Sequence, residues 1–107
     1  MADSQLIVIV KRKNTLDVTF TEEMTDVDKT KIIKELAKMS TSYDINKICI
    51  SLDRIKFPLT CTWLVNIGFT IVKTEFNWNN SAIQYFEIDA GRIINYYVKT
   101  FILTARL

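Results

Sequence analysis

Short stretches rich in β-branched residues, several of them alternating apolar with polar, are separated along this chain by two stretches of helical period. Gln5 to Lys11, QLIVIVK, is dense in Ile and Val and predicts a strand. Lys13-Asn14-Thr15 reads as a turn. Leu16-Asp17-Val18-Thr19-Phe20 alternates with the period of a half-buried strand, so the two runs predict an antiparallel hairpin. Thr25-Asp26 then supplies a helix cap, with Asp28 in the first turn, where negative charge suits the helix dipole. Val27, Ile32, Ile33, Leu36 and Met39 recur near helical spacing, with Lys29, Lys31, Lys34, Glu35 and Lys38 on the other face. The spacing predicts a helix over 26–39, ended by Ser40-Thr41-Ser42.

Ile48, Ile50 and Leu52 share one face of a strand over 47–52, and 53–57 reads as a loop. Pro58 suits the first turn of a helix, in which Leu59, Trp63 and Ile67 follow at i, i+4 and i+8 with Leu64 beside them. Gly68 stands just past the last periodic residue, where a left-handed backbone is usual. It ends the helix and launches a strand over 69–75. The cluster 77–81, NWNNS, is a turn, and Ile83 to Ile88 a further strand. Asp89-Ala90-Gly91 resembles a three-residue hairpin loop. From Arg92 to Leu107 two readings compete. Ile94, Val98, Phe101 and Ala105 fit a helix, whereas the residue types favour a strand, which is preferred here. The order β-β-α-β-α-β-β implies an α+β fold, a single mixed β-sheet with two α-helices on one face.

The 107 residues fit one domain over 1–107. Apolar residues make up 49% and charged residues 24%, an ordinary balance for a soluble protein. The abundance of Ile, Lys, Asn and Thr suits an AT-rich genome. The net charge of +2 is too small to argue for nucleic acid, and Lys11-Arg12-Lys13, the one dense basic run, reads as a solvated turn. The apolar run around Leu6 to Val10 is too short to span a membrane, and MADSQ carries no basic targeting segment. Cys49 and Cys61 form no framework pattern. They read as small buried hydrophobes in a reducing, cytoplasmic setting.

Little in the chain points to catalysis. There is no histidine, which removes the commonest general base and metal ligand. Two isolated cysteines do not make a structural zinc site. With only Gly68 and Gly91, there is no glycine-rich loop to cradle phosphate or another cofactor. Glu22-Glu23 and Asp26/Asp28 are read as capping and solubilising groups, Lys29 on spacing alone as a solvated helix-face lysine, and Trp63 as core. Trp78, set among asparagines, is a modest sign of an interface.

The strand–helix order resembles acetyltransferases of the GNAT type, but the Gln/Arg-x-x-Gly-x-Gly loop that binds acetyl-CoA in them has no counterpart here. A second resemblance is to the ornithine decarboxylase antizymes, which share that fold without the cofactor loop. It rests on LDVTF at 16–20, DKTKIIKELA at 28–37, KICISL at 47–52, WLVNIGFTIV at 63–72 and QYFEI at 84–88, in matching order and spacing. It covers residues 16 to 88.

The resemblance implies a non-enzymatic inhibitor. It would grip a decarboxylase monomer as a heterodimer, block the active homodimer and lower polyamine synthesis. The family's early helix lysine corresponds to Lys29, and the last valine of its strand after the glycine to Val72. Both would be partner-binding. Departures bear on the rest. KTEFNWNNS at 73–81 replaces a basic, proline-containing loop, and Ala37 and Ser40 stand where helix glutamates are common. The family's long N-terminal region, which supports delivery to the proteasome, is nearly missing. The resemblance therefore speaks for binding more than for degradation. Two rivals stay open: a viral or parasite interaction module of the same fold with another host or defence partner, and a small enzyme of unknown type, which would need turnover that disappears on mutating one Asp/Glu pair.

Overall fold

The computed structural model describes residues 7–103. Its elements are β1 (Ile7–Arg12), β2 (Thr15–Phe20), α1 (Asp26–Ser42), β3 (Lys47–Asp53), α2 (Pro58–Asn66), β4 (Thr70–Asn77), β5 (Ser81–Asp89), α3 (Ala90–Tyr97) and a π-helical turn over Val98–Leu103. The five strands form one mixed sheet in the order β1-β2-β3-β5-β4. The β1–β2 hairpin is antiparallel, β2 and β3 run parallel across the α1 crossover, and β5 is antiparallel to both β3 and β4. The fold is thus α+β with one mixed sheet, as the pattern implies, but with a third helix.

One face of the sheet carries the core. Leu16, Val18 and Phe20 of β2, Ile48, Ile50 and Leu52 of β3, and Phe86 and Ile88 of β5 are buried against Ile32, Ile33 and Leu36 of α1 and Leu64 of α2. Alternation along each strand sends Asp17, Thr19, Cys49, Ser51, Tyr85 and Glu87 to the opposite face. Among the described residues no helix is long and apolar enough to cross a membrane.

α1 starts in a reciprocal cap. Asp28 N–H donates to Thr25 Oγ1 and Thr25 N–H to Asp28 Oδ2, both at 3.1 Å. It runs on through Ser40-Thr41-Ser42, expected to end it. Thr41 Oγ1 donates back to the Ala37 carbonyl, so this hydroxyl is satisfied inside the helix. α2 rotates from the expected face. Thr60, Cys61 and Leu64 are buried while Leu59 is 71% exposed. The cause lies outside the helix. The Glu23 carboxylate accepts from the Thr60 N–H at 2.9 Å and from its hydroxyl, and Thr60 Oγ1 accepts from Met24 N–H. Glu23 therefore caps a helix distant in sequence and turns Thr60 inward.

Gly68 behaves as its position implies. Its φ is +117°, Phe69 N–H donates to Leu64 O and Gly68 N–H to Val65 O, the paired bonds that close a helix C-terminus. A Cβ there would stand 3.0 Å from Arg92 Nη2.

The segment after β5 is a correction. Asp89 ends the strand and Ala90 begins α3, so 89–91 is no hairpin loop, and the described part of the tail is helical rather than a strand. β5 is already paired on both sides, leaving no neighbouring strand position for its continuation. The chain instead crosses to the helix layer, Ala90 N–H donating to Asn46 O, and Ile93 is fully buried. Residues 104–107 lie outside the described residues.

Asp53 fixes the corner between β3 and α2. Its Oδ1 accepts from Ile55 N–H (3.0 Å), Lys56 N–H (3.4 Å) and Ala82 N–H (3.3 Å). Burial alone would push this carboxyl up. The N–H groups of Ala82, Ile55 and Lys56 outweigh it and hold it below the usual aspartate value of 3.8. Its stabilising effect is full above that value and is lost as pH falls through the lower folded one. Asp53→Ala is expected to cost about 2–3 kcal/mol in urea unfolding at pH 7, and Asp53→Asn to flatten the acid limb of stability against pH.

Candidate functional site

Among the described residues β4 lies at the edge of the sheet, next to β5 alone. Its side chains are unusually apolar for an edge. Ile71 and Val72 at one end are about half exposed, Phe76 at the other is 74% exposed, and Trp78 just beyond is fully exposed. A bulge interrupts the pairing: Ile71 stands opposite Phe86 and Lys73 opposite Tyr85, leaving Val72 as the extra residue. It lines a groove of about 460 Å³ on the face without helices, with Arg12, Asp17, Cys49, Lys73, Tyr85 and Glu87.

Charges along this groove are paired. Arg12 Nε lies 2.9 Å from Asp17 Oδ2, Lys47 Nζ 3.8 Å from Glu87 Oε1, and Lys73 Nζ 2.9 Å from Glu75 Oε2. Tyr85 Oη donates to Glu75 Oε1 at 2.6 Å, and the Lys73 ammonium sits 5.4 Å from the Tyr85 ring centroid. The Tyr85 hydroxyl and then Lys73 hold the Glu75 carboxyl below its usual range, and Glu75 holds Lys73 and Tyr85 above theirs. This triad ties the middle of β4 to β5 through Tyr85. Cys49, in the groove floor, is pushed up by burial and then by Glu87 and Asp17, the reverse of an activated nucleophile. Burial pushes Cys61 up to about 11. Both cysteines are free, and among the described residues no cluster of His, Cys, Asp or Glu could hold a metal ion.

The two partner-binding positions lie in different places. Val72 belongs to the β4 edge. Lys29 sits in the helix layer, its side chain 23% exposed, with Nζ 3.9 Å from Asp26 Oδ1 and 5.4 Å from the Trp63 ring centroid. It lines a separate cavity of about 280 Å³ with Trp63, Tyr96 and Phe101. Trp63 is half-buried against the core, and part of it is the surface on which Lys29 rests. Spacing along α1 cannot reveal that contact, because Trp63 comes from another helix. The Lys73–Glu75 half of the triad stands in the sequence as KTE, but its Tyr85 partner comes from β5 and only the strand pairing brings it there.

Compared with known proteins, the chain matches no family model, no curated protein and no solved structure.

Two outcomes check the site. At pH 8 a thiol reagent is expected to modify Cys49 slowly and Cys61 not at all in the folded protein, and both in denaturant. Equal native rates would contradict the burial of Cys61. Tyr85→Phe is expected to move the Glu75 titration upward, read by carboxyl-carbon NMR. An unmoved Glu75 would mean that the hydrogen bond does not set its acidity.

Proposed function

We propose that this chain is a non-catalytic protein-binding module that engages its partner through the β4 edge, and that the partner is an ornithine decarboxylase monomer. The observation that carries the binding role is the β4 edge, unpaired among the described residues, with Ile71, Val72, Phe76 and Trp78 exposed along it and the linked Lys73–Glu75–Tyr85 triad at its centre. Exposed aromatic and aliphatic groups around a pre-ordered polar cluster make an interface core that loses little side-chain freedom on binding. The decarboxylase is the partner that the antizyme resemblance names, and Val72 is the resemblance's contact that lies on this edge. Lys29 enters as a second contact by exchange. Its present counter-ion, Asp26, is fully exposed, and a partner carboxylate replaces it while the Trp63 ring holds the lysine in place.

Inhibition follows by mass action. A module that binds the monomer drains the pool that forms the active dimer. Paired charges in the groove and a raised Cys49 thiol support a binding role over the enzyme alternative. The alternative module with another partner would use the same edge without Lys29.

The test mixes the chain with ornithine decarboxylase from the same genome and measures mass by light scattering, with activity in parallel. The expected result is a one-to-one complex with lost activity, weakened about tenfold or more by Val72→Asp and less by Lys29→Ala. An unchanged, fully active decarboxylase dimer at micromolar concentration would overturn the choice of partner.

A further inference from the structure

We infer that β4 also pairs with β4 of a second copy of this chain, antiparallel and centred on Thr74, to form a dimer with one continuous sheet. Three features of the edge point to a second copy.

The first is its charge order. A two-fold axis normal to the sheet places residue i of one strand opposite residue j of the other with a constant sum of i and j. Centring on Thr74 sets Lys73 opposite Glu75 of the second copy, and Glu75 opposite its Lys73, on the same face of the sheet. A shift of the centre to Lys73 sets that lysine against itself, and a shift to Glu75 sets glutamate against glutamate. Opposite charges directly across two strands stabilise the pairing and like charges oppose it, so the pattern selects one register. The second feature is the distribution of apolar groups. They sit at both ends of β4, Ile71 and Val72 at one and Phe76 and Trp78 at the other, and all are exposed. Antiparallel pairing lays the Phe76–Trp78 end of each copy over the Ile71–Val72 end of the other. Third, the Lys73–Glu75–Tyr85 triad separates the two ends and holds both charges on the face of the sheet where their counterparts across the axis also stand.

With the axis at Thr74, the Val72 bulge limits regular pairing to Lys73, Thr74 and Glu75 of each strand, which makes the contact short and reversible. The axis keeps all helices on one side of a sheet of twice the five strands. A second copy seated along Lys73–Glu75 occupies the same outer edge, so the dimer and any partner seated on β4 exclude each other. The inference does not depend on the identity of that partner.

The test uses two single charge variants of the full chain, Lys73→Glu and Glu75→Lys, each checked for an unchanged melting profile. The unaltered chain is expected to show a concentration-dependent monomer–dimer equilibrium in sedimentation. Each variant alone sets like charges across the axis and is expected to sediment as a monomer at concentrations where the unaltered chain dimerises. Mixed one to one, they restore both cross-strand ion pairs and are expected to form a heterodimer. A repulsion confined within one chain would not be relieved by mixing. A monomeric unaltered chain at all concentrations, or variants whose mixture stays monomeric while the unaltered chain dimerises, would overturn the inference. No decarboxylase is present, so this outcome is independent of the one above.

Discussion

β5 occupies the position beside β3, and the surface chemistry of the molecule depends on that placement. The chain leaves β3, passes through α2 and lays down β4 before β5, yet β5 is the strand hydrogen-bonded to β3. The corner at Asp53 holds it there. One carboxylate oxygen takes the N–H of Ala82 on β5 together with two N–H groups of the turn that follows β3, and Arg54 N–H bonds to Ala82 O. A buried carboxylate with three donors is costly to disturb, because losing the acceptor strands the buried Ala82 amide and releases the turn after β3. With β5 locked in the middle, β4 is left on the rim, and among the described residues its outer side has no neighbouring strand.

The same placement explains the helix layer. A strand paired on both sides has no place beside it for a hairpin partner, and the chain after Asp89 leaves the sheet. It folds back as α3 against α1, burying Ala90 and Ile93, and its Tyr97 and Phe101 rings meet at 5.8 Å. Lys29 is then enclosed by contributions from α1, α2 and this last segment. The two positions singled out by family resemblance are thereby separated into different cavities, and only Val72 remains on the open rim.

Much of this was legible from residue pattern. The hairpin, α1, β3 and the glycine-terminated α2 follow from local rules that act within a few residues: alternation, capping, a proline at a first turn and a glycine with positive φ. What was not legible is what other segments decide. Ile, Tyr, Val and Phe after Gly91 are strand-forming types, but strand preference counts only where a strand can pair, and no such place exists beside β5. The face of α2 could not be read from Leu59, Trp63 and Ile67 because Glu23, distant in sequence, sets it through Thr60. Trp78 was a sign of an interface by its polar neighbours, and it is fully exposed. The charge order of β4 becomes meaningful only once β4 is known to be an edge.

The central claim is that another polypeptide sits along the outer side of β4. Amide hydrogen exchange, followed by mass spectrometry for the chain alone at low concentration and then with decarboxylase or with excess chain, addresses it directly. The account predicts new protection over 70–77 under at least one of the two additions, with β1, the other rim of the sheet, unchanged. Protection that stays unchanged over 70–77 while it rises on β1 or around Lys29 would contradict it.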